Sequence, residues 1–212
     1  MRLLLTSAGI TNRTIANALR RLAGKRIMTA FIPTAANADA GDKSWLIKNY
    51  EEFRRLGPID IVDISGMDKD VWLPRLRAAN VIVFGGGNTL HLMKCVLKSG
   101  LKRELRGLLK RRTYVGISAG SIIAAKRLSA TSVFLYSNKK TMAPRGLGYV
   151  DFNIRPHLNS PHSPKTKEKY LAKASKKVKG RLYALDDSSA IVYADGNTKV
   201  ISEGKWKVYQ GL

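Results

Sequence analysis

Gly116-Ile117-Ser118-Ala119-Gly120 follows the apolar pair Tyr114-Val115 and opens the helix-like run Ser121-Ile122-Ile123-Ala124-Ala125. A Gly-x-Ser-x-Gly at a strand-to-helix junction is the pattern of a nucleophile elbow, a sharp turn that lifts a serine hydroxyl off the end of a strand. The flanking glycines avoid Cβ atoms that would collide there. The helix start behind the serine offers free N–H groups to an oxyanion. The chemistry implied is attack by Ser118 on a carbonyl carbon.

Two further loops could serve that chemistry. Gly85-Gly86-Gly87-Asn88-Thr89 exposes backbone N–H groups with no side chains in the way, and Asn88 or Thr89 can cap a following helix. The triplet fits half of an oxyanion hole or a phosphate cradle, but it matches neither common nucleotide-binding glycine pattern. A serine nucleophile also needs a base, most often histidine. Of the three histidines, His91 falls inside a predicted helix and His162 lies between two prolines. His157 follows Pro156 at the end of a predicted strand, which makes it the candidate base.

These loops need a scaffold that brings them to one edge. Short β-rich runs, Arg2–Thr6, Ile27–Ile32, Ile59–Ile64, Val81–Phe84 and Tyr114–Ile117, alternate with amphipathic stretches at Thr11–Leu22, Lys43–Leu56, Val71–Ala78, Thr89–Leu97 and Leu101–Lys110. That alternation predicts an α/β fold: a doubly wound, mostly parallel sheet with helices on both faces. Most of the strands read as continuous apolar runs, as strands buried on both faces should. Further on, a strand is expected over Tyr149–Ile154 and a basic helix over Lys165–Val178. A small C-terminal β extension is expected at Arg181–Leu185, Ala190–Ala194, Lys199–Ser202 and Lys207–Tyr209. Residues 137–148 read as a mobile loop. Ligands bind at the carboxyl ends of parallel strands, and Ser118, the glycine triplet and His157 all follow such ends.

The bulk properties limit the alternatives. A chain of 212 residues fits a single domain over 1–212. No apolar run is long enough to span a membrane, and Met1-Arg2-Leu3-Leu4-Leu5 reads as a first core strand rather than a secretory signal. The single cysteine, Cys95, excludes an internal disulfide and suits a cytoplasmic location. The net charge is +23. It is concentrated between Lys94 and Arg112 and between Lys165 and Arg181, where Tyr170 is the single aromatic residue, too few to interleave as stacking platforms would. Nucleic acid is therefore not expected as a partner. No metal site is predicted, and the oligomeric state, monomer or homodimer, is left open.

Gly85-Gly86-Gly87-Asn88-Thr89, Gly116-Ile117-Ser118-Ala119-Gly120-Ser121 and Asn153-x-x-Pro156-His157 occur together and in order. In that combination the chain resembles the peptidase E (S51) family of serine peptidases, which includes the aspartyl dipeptidases and, more distantly, cyanophycinase. The likeness runs from about residue 3 to 206 and takes in Ala184-Leu185-Asp186-Asp187-Ser188-Ser189-Ala190. It implies a class-I-glutaminase-like α/β fold. It also implies a serine-type exopeptidase or dipeptidase that needs no cofactor and takes short peptides, including dipeptides with an N-terminal aspartate. By motif, Ser118 would be the nucleophile and His157 the base, with the backbone N–H groups of Ala119 and of Gly86 or Gly87 on the oxyanion. Asn88 would contact substrate. The family's acid-recognising arginine sits in a Thr-Arg-Glu context; here Thr166-Lys167-Glu168 offers Lys167, a point charge rather than a fork.

The chain departs from the family at the third triad member. The family carries an acid about a dozen or more residues after the serine, yet no carboxylate occurs from Leu105 to Val150. Asp151 is the candidate replacement. Asp186 or Asp187 could act from another direction, or a neutral group at Ser129, Asn138 or Asn159 could orient the ring. A Ser-His dyad or an atypical triad is thus expected. The alternative is a family member impaired in catalysis that binds an acidic ligand or polyanion.

Overall fold

The computed structural model describes residues 1–128 and 145–212. Strands β1 (Arg2–Thr6), β2 (Thr29–Ile32), β3 (Ile59–Ile61), β4 (Val81–Phe84) and β5 (Thr113–Ile117) form the parallel part of a seven-stranded sheet. The strand order is β3-β2-β4-β5-β1, continued by β8 (Ser189–Ala194) antiparallel to β1 and β9 (Asn197–Ser202) antiparallel to β8. The connecting helices are α1 (Arg13–Ala23), α2 (Ser44–Arg54), α3 (Lys69–Ala78), α4 (Thr89–Lys98), α5 (Leu101–Leu108) and α6 (Ala119–Ile123). A 3-10 turn at Thr34–Ala38, which periodicity did not indicate, follows β2.

The apolar runs of β1, β2, β4 and β5 are explained by their two buried faces, whereas the edge strand β3 is partly exposed. Leu3, Leu5, Ala30, Ile32, Ile82, Phe84 and Tyr114 pack with α3, α4, α5 and α6. Leu4, Phe31, Val81, Val83, Val115 and Ile117 pack with α1 and α2 on the other side. Each buried Leu, Ile or Phe contributes roughly 1.5–3 kcal/mol relative to exposure, so the parallel strands carry much of the core.

The expected β extension divides in two. β8 and β9 widen the main sheet, whereas β7 (Leu182–Leu185) and β10 (Trp206–Tyr209) join β6 (Asn153–Arg155) in a second sheet of order β10-β7-β6. β6 and β7 are parallel. Ile154, Tyr183 and Leu185 face the main core, while Leu182, Ala184 and Tyr209 pack with Leu171 on the helix α7 (Glu168–Ser175). This helix is shorter than the basic run that announced it, because a 3-10 turn at Pro164–Thr166 precedes it. Of the loop expected over 137–148, residues 137–144 lie outside the described residues, as do Ser129 and Asn138; Arg145 bridges to Arg127 and Val150 to Ala125. Among the described residues, no helix is long and apolar enough to cross a membrane.

Candidate active site

β4, β5 and β1 are neighbours in the sheet. Their carboxyl ends therefore present three loops side by side: the glycine triplet, Ser118 and Ser7. Ser118 holds φ +47° and ψ −103°, a conformation costing on the order of 1–3 kcal/mol for a residue with a side chain. Packing imposes it. A Cβ on Gly116 would stand 2.5 Å from the Ser121 nitrogen, and one on Gly120 would stand 2.0 Å from the Phe84 carbonyl oxygen. The Ser118 N–H donates to the Thr6 carbonyl at 3.1 Å. Beneath it, the Ser121 hydroxyl donates to Thr6 at 2.7 Å, and Tyr114 donates to the Gly120 carbonyl at 2.6 Å.

The glycine triplet lies beside this turn. Gly87 has φ +121°, and a Cβ there would fall 2.5 Å from the Ala35 carbonyl oxygen. A Cβ on Gly86 would come 3.6 Å from that of Ser118, so the Gly86 backbone faces the serine. Gly85 and Asn88 donate their N–H groups to Ile32 and Ala35. The N–H groups of Gly86 and Gly87 donate to no partner among the described residues. Ala119 begins α6, where a first-turn N–H has no intrahelical acceptor. Asn88 lines a cavity at Ser118 and caps α4, its side-chain oxygen accepting from the His91 N–H at 2.9 Å.

His157 reaches the same edge from the second sheet. It leaves the carboxyl end of β6 with φ +62°, and its Nε2 lies 3.0 Å from the Ser118 Oγ. Its Nδ1 lies 2.6 Å from Asp187 Oδ1. A carboxylate only accepts, so Nδ1–H is the donor, which leaves Nε2 bare to take the serine proton.

The carboxylate beside His157 Nδ1 is that of Asp187, not of Asp151, which the sequence offers for this position. Asp151 stands before the amino end of β6, and His157 follows the other end. β6 and β7 run parallel, with Arg155 opposite Ala184, so the turn after β7 stands next to His157. That turn leads into β8, whose Ala190 pairs with Thr6 of β1, so it also closes on the serine edge. Asp187 lies in it. Asn159 is occupied elsewhere, its side chain bonded to Glu168. Lys167 also departs from expectation: it is exposed, its Nζ donates to the Asn159 carbonyl at 3.1 Å, and it lines neither cavity at Ser118.

Ser7 went unnoticed in the sequence. Fully buried, it accepts the His157 N–H at 2.8 Å and donates to Asp187 Oδ1 at 2.8 Å. The signal was available, since Ser7 follows β1 just as Ser118 follows β5. The Asp187 carboxyl is pulled two ways. Partial desolvation pushes its pKa up, but the bonds from His157 and Ser7 and the nearby Lys48 charge prevail and hold it below its ordinary value. Cys95 packs against the core, and desolvation pushes its thiol up, as befits an inert side chain.

Ser118 opens on two adjoining cavities of about 350 Å³ and 460 Å³, which share Asp39, Gly87, Ser118 and His157. Both fall in the size range of small-molecule sites. The first adds Arg155 and Ile122 to its walls; the second adds Trp45, Lys48 and Asp187.

A family model, Peptidase family S51, matches residues 3–201. A Nostoc sp. protein named Peptidase E is 31% identical over 101 residues, covering 45% of this chain and 41% of its own. A Drosophila melanogaster protein named "Probable alpha-aspartyl dipeptidase" is 33% identical over 90 residues, covering 42% of this chain and 37% of its own. These alignments thus span about two fifths of each relative's length. A solved structure titled as a peptidase from an acI-B1 Actinobacterium superposes with a TM-score of 0.77 at 20% identity, covering 100% of this chain and 91% of that one. At that identity the likeness speaks for the fold.

Proposed function

Since the chain belongs to peptidase family S51, we propose that it is a serine peptidase of short peptides, with Ser118, His157 and Asp187 as its triad. The observation that carries this reading is the continuous bonded line from Ser118 Oγ through His157 to Asp187, with steps of 3.0 Å and 2.6 Å. Ser118 Oγ attacks the scissile carbonyl carbon as its proton passes to His157 Nε2. The carbonyl oxygen becomes an oxyanion held by the N–H groups of Ala119 and of Gly86 or Gly87. Asp187 accepts the Nδ1 proton, fixes the tautomer and stabilises the imidazolium. The intermediate collapses, the C–N bond breaks, and the leaving amine takes the proton from Nε2. An ester on Ser118 remains. A water then attacks it, giving its proton to Nε2; the acid product leaves and Ser118 regains its hydrogen.

The chain's resemblance to the aspartyl dipeptidases directs this reading to peptides that begin with aspartate. The alternative of a member without catalysis drew on the missing third carboxylate and on the two basic stretches, and the position of Asp187 weighs against the first of these grounds. A fluorophosphonate probe tests the proposal directly. It should label the wild type at Ser118 and leave Ser118→Ala unlabelled. Hydrolysis of an Asp-initiated chromogenic amide should fall by on the order of 10⁶ in that variant. Equal rates in the two proteins would end the proposal.

A further inference from the structure

We propose that the sheet edge opposite Ser118 is a docking surface for the phosphate backbone of a nucleic-acid duplex. This goes beyond the peptidase reading and does not depend on it. The two edges are separated by β5, whose 5 residues at about 3.3 Å each span about 16 Å.

The turns that enter β2, β3, β4 and β5 lie on that edge with the start of β1. Side chains join them into one rim. Arg112 Nε donates to the carbonyls of Leu76 at 3.0 Å and Ala79 at 2.9 Å. Asn80 donates to the Arg26 carbonyl at 2.7 Å, and Arg2 to that of Arg111 at 3.0 Å. Exposed cations stand on the rim: Lys25 and Arg26 before β2, Arg54 before β3, Arg77 before β4, and Lys110 and Arg111 before β5. Among the described residues none of these six forms an ion pair. Residues 20–28, 54–59, 76–81 and 105–113 contain no carboxylate. Asp195 in the β8–β9 hairpin and Glu51, the partner of Arg55, only border the patch. The loops at the Ser118 edge mix signs instead, with Asp39, Asp42, Asp63 and Asp187 beside Lys43 and Lys48. The positive charge is thus segregated, not spread. Arg112 registers it: desolvation pulls its pKa down, and the charges of Arg77 and Arg111 pull the same way. Helices α1, α2, α3 and α5 end at this rim. Each helix end offers only about half a negative charge, too little to balance the cations, so the excess is open to an external anion.

The residue types select the anion. Four of the six cations are arginines, whose planar forks match phosphate oxygens. The four segments contain no Phe, Tyr or Trp. Single strands need aromatic platforms for their bases, and an anionic membrane is usually met with apolar side chains as well. A duplex keeps its bases paired and asks only for cations along its backbone. From β3 to β1 the rim crosses four strand intervals of about 4.8 Å, about 20 Å in all. That length matches roughly six base pairs at 3.4 Å each.

Fluorescence anisotropy with labelled DNA and RNA duplexes of about 20 base pairs tests the proposal across a range of KCl concentrations. For six phosphates neutralised, log Kobs should fall against log[KCl] with a slope of about −5. Whichever duplex binds more tightly names the source of the backbone. The triple variant Arg26→Gln, Lys110→Gln, Arg111→Gln should bind at least about tenfold more weakly at low salt, with its slope reduced to about half. A control variant removes the same charge from the Ser118 edge: Arg13→Gln, Lys43→Gln, Lys48→Gln. It should keep the parent's slope and bind within about threefold of the parent. All six positions lie at the surface, and thermal melts check that both triples fold; if the rim triple does not, its three single substitutions should each weaken binding by about two- to fourfold. Equal weakening in the two triples would overturn the proposal, because net charge alone would then explain binding. Tighter binding of a single strand, or of phosphatidylserine vesicles, than of either duplex would overturn it too. Fluorophosphonate labelling of Ser118 should be unchanged in the rim triple. Loss of labelling in the parent would remove the peptidase reading and leave this one standing.

Discussion

The two sides of the site are held by different forces. The nucleophile side is fixed by backbone packing. Ser118 lies between buried strands, and the close approaches of Gly116 and Gly120 involve backbone atoms that cannot move aside. The base side is fixed by side-chain hydrogen bonds between loops. His157, Ser7 and Asp187 come from three separate turns and are joined by three bonds, and the Asp187 side chain is 56% exposed. Damage to the first side should thus appear in the stability of the fold, and damage to the second in the chemistry.

The strongest way to break this contrast is through the glycines. Gly120→Ala drives a Cβ into the Phe84 carbonyl. It should cost about 3 kcal/mol or more, which for a chain of this size lowers Tm by about 6–12 °C. Gly107→Ala on α5 meets nothing within 4 Å, and should stabilise by about 0.5–1 kcal/mol through helix propensity. Thermal melts of the two variants check the pair. A Gly120→Ala protein as stable as its parent would mean the elbow is not held as described.

On the base side the losses should be kinetic. Asp187→Asn keeps the size of the side chain but removes the anion and its control of the tautomer. The expected loss in kcat is about 10⁴-fold, with Tm little changed. Asp151→Asn should leave kcat within a few-fold of the parent. Ser7→Ala is milder: His157 N–H loses its acceptor and Asp187 one of its donors. At about 0.5–1.5 kcal/mol per bond, with more for the charged partner, kcat should fall roughly 10–100-fold with KM steady. If Ser7→Ala lowers Tm substantially but leaves kcat alone, Ser7 supports the fold rather than the histidine.

The same division explains what the sequence could reveal. The elbow and the glycine triplet are local: strand, glycines and helix start are consecutive, so Ser118, Gly86, Gly87 and Ala119 could be named by their motifs. The alternation of strands and helices likewise implied the parallel sheet. Asp187 depends on two pairings remote in the chain, β6 beside β7 and β8 beside β1. No periodicity encodes either, so the sequence left Asp151 standing as a candidate beside Asp186 and Asp187. Lys167 illustrates the converse: a matching three-residue context did not bring its side chain to the cavity.

The smallest expected effect separates two carboxylates by pH. Glu52 on α2 is 7% exposed; its Oε2 accepts from Ile10 N–H at 2.9 Å and from Asn49 at 3.3 Å, bracing the segment that follows Ser7. Burial pushes the Glu52 carboxyl up, and the bonds from Ile10 and Asn49 only partly oppose this. An acid raised by folding contributes stability that is fully present below its ordinary value of 4.5 and is lost as pH rises through its folded value. Asp187 is lowered, so its contribution is present above its ordinary value of 3.8 and is lost as pH falls through its folded value. Glu52→Gln keeps an oxygen for both donors and removes the titration. Its stability relative to the parent should therefore increase as pH rises from about 4 to 7. Asp187→Asn should behave in the opposite sense: its deficit should be fully developed at pH 7 and shrink only in strong acid. Urea unfolding midpoints of both variants and the parent between pH 3 and 7 measure the two slopes. Slopes of the same sign would mean that the carboxylate bracing the β1 loop and the carboxylate orienting the histidine are not in opposite electrostatic environments.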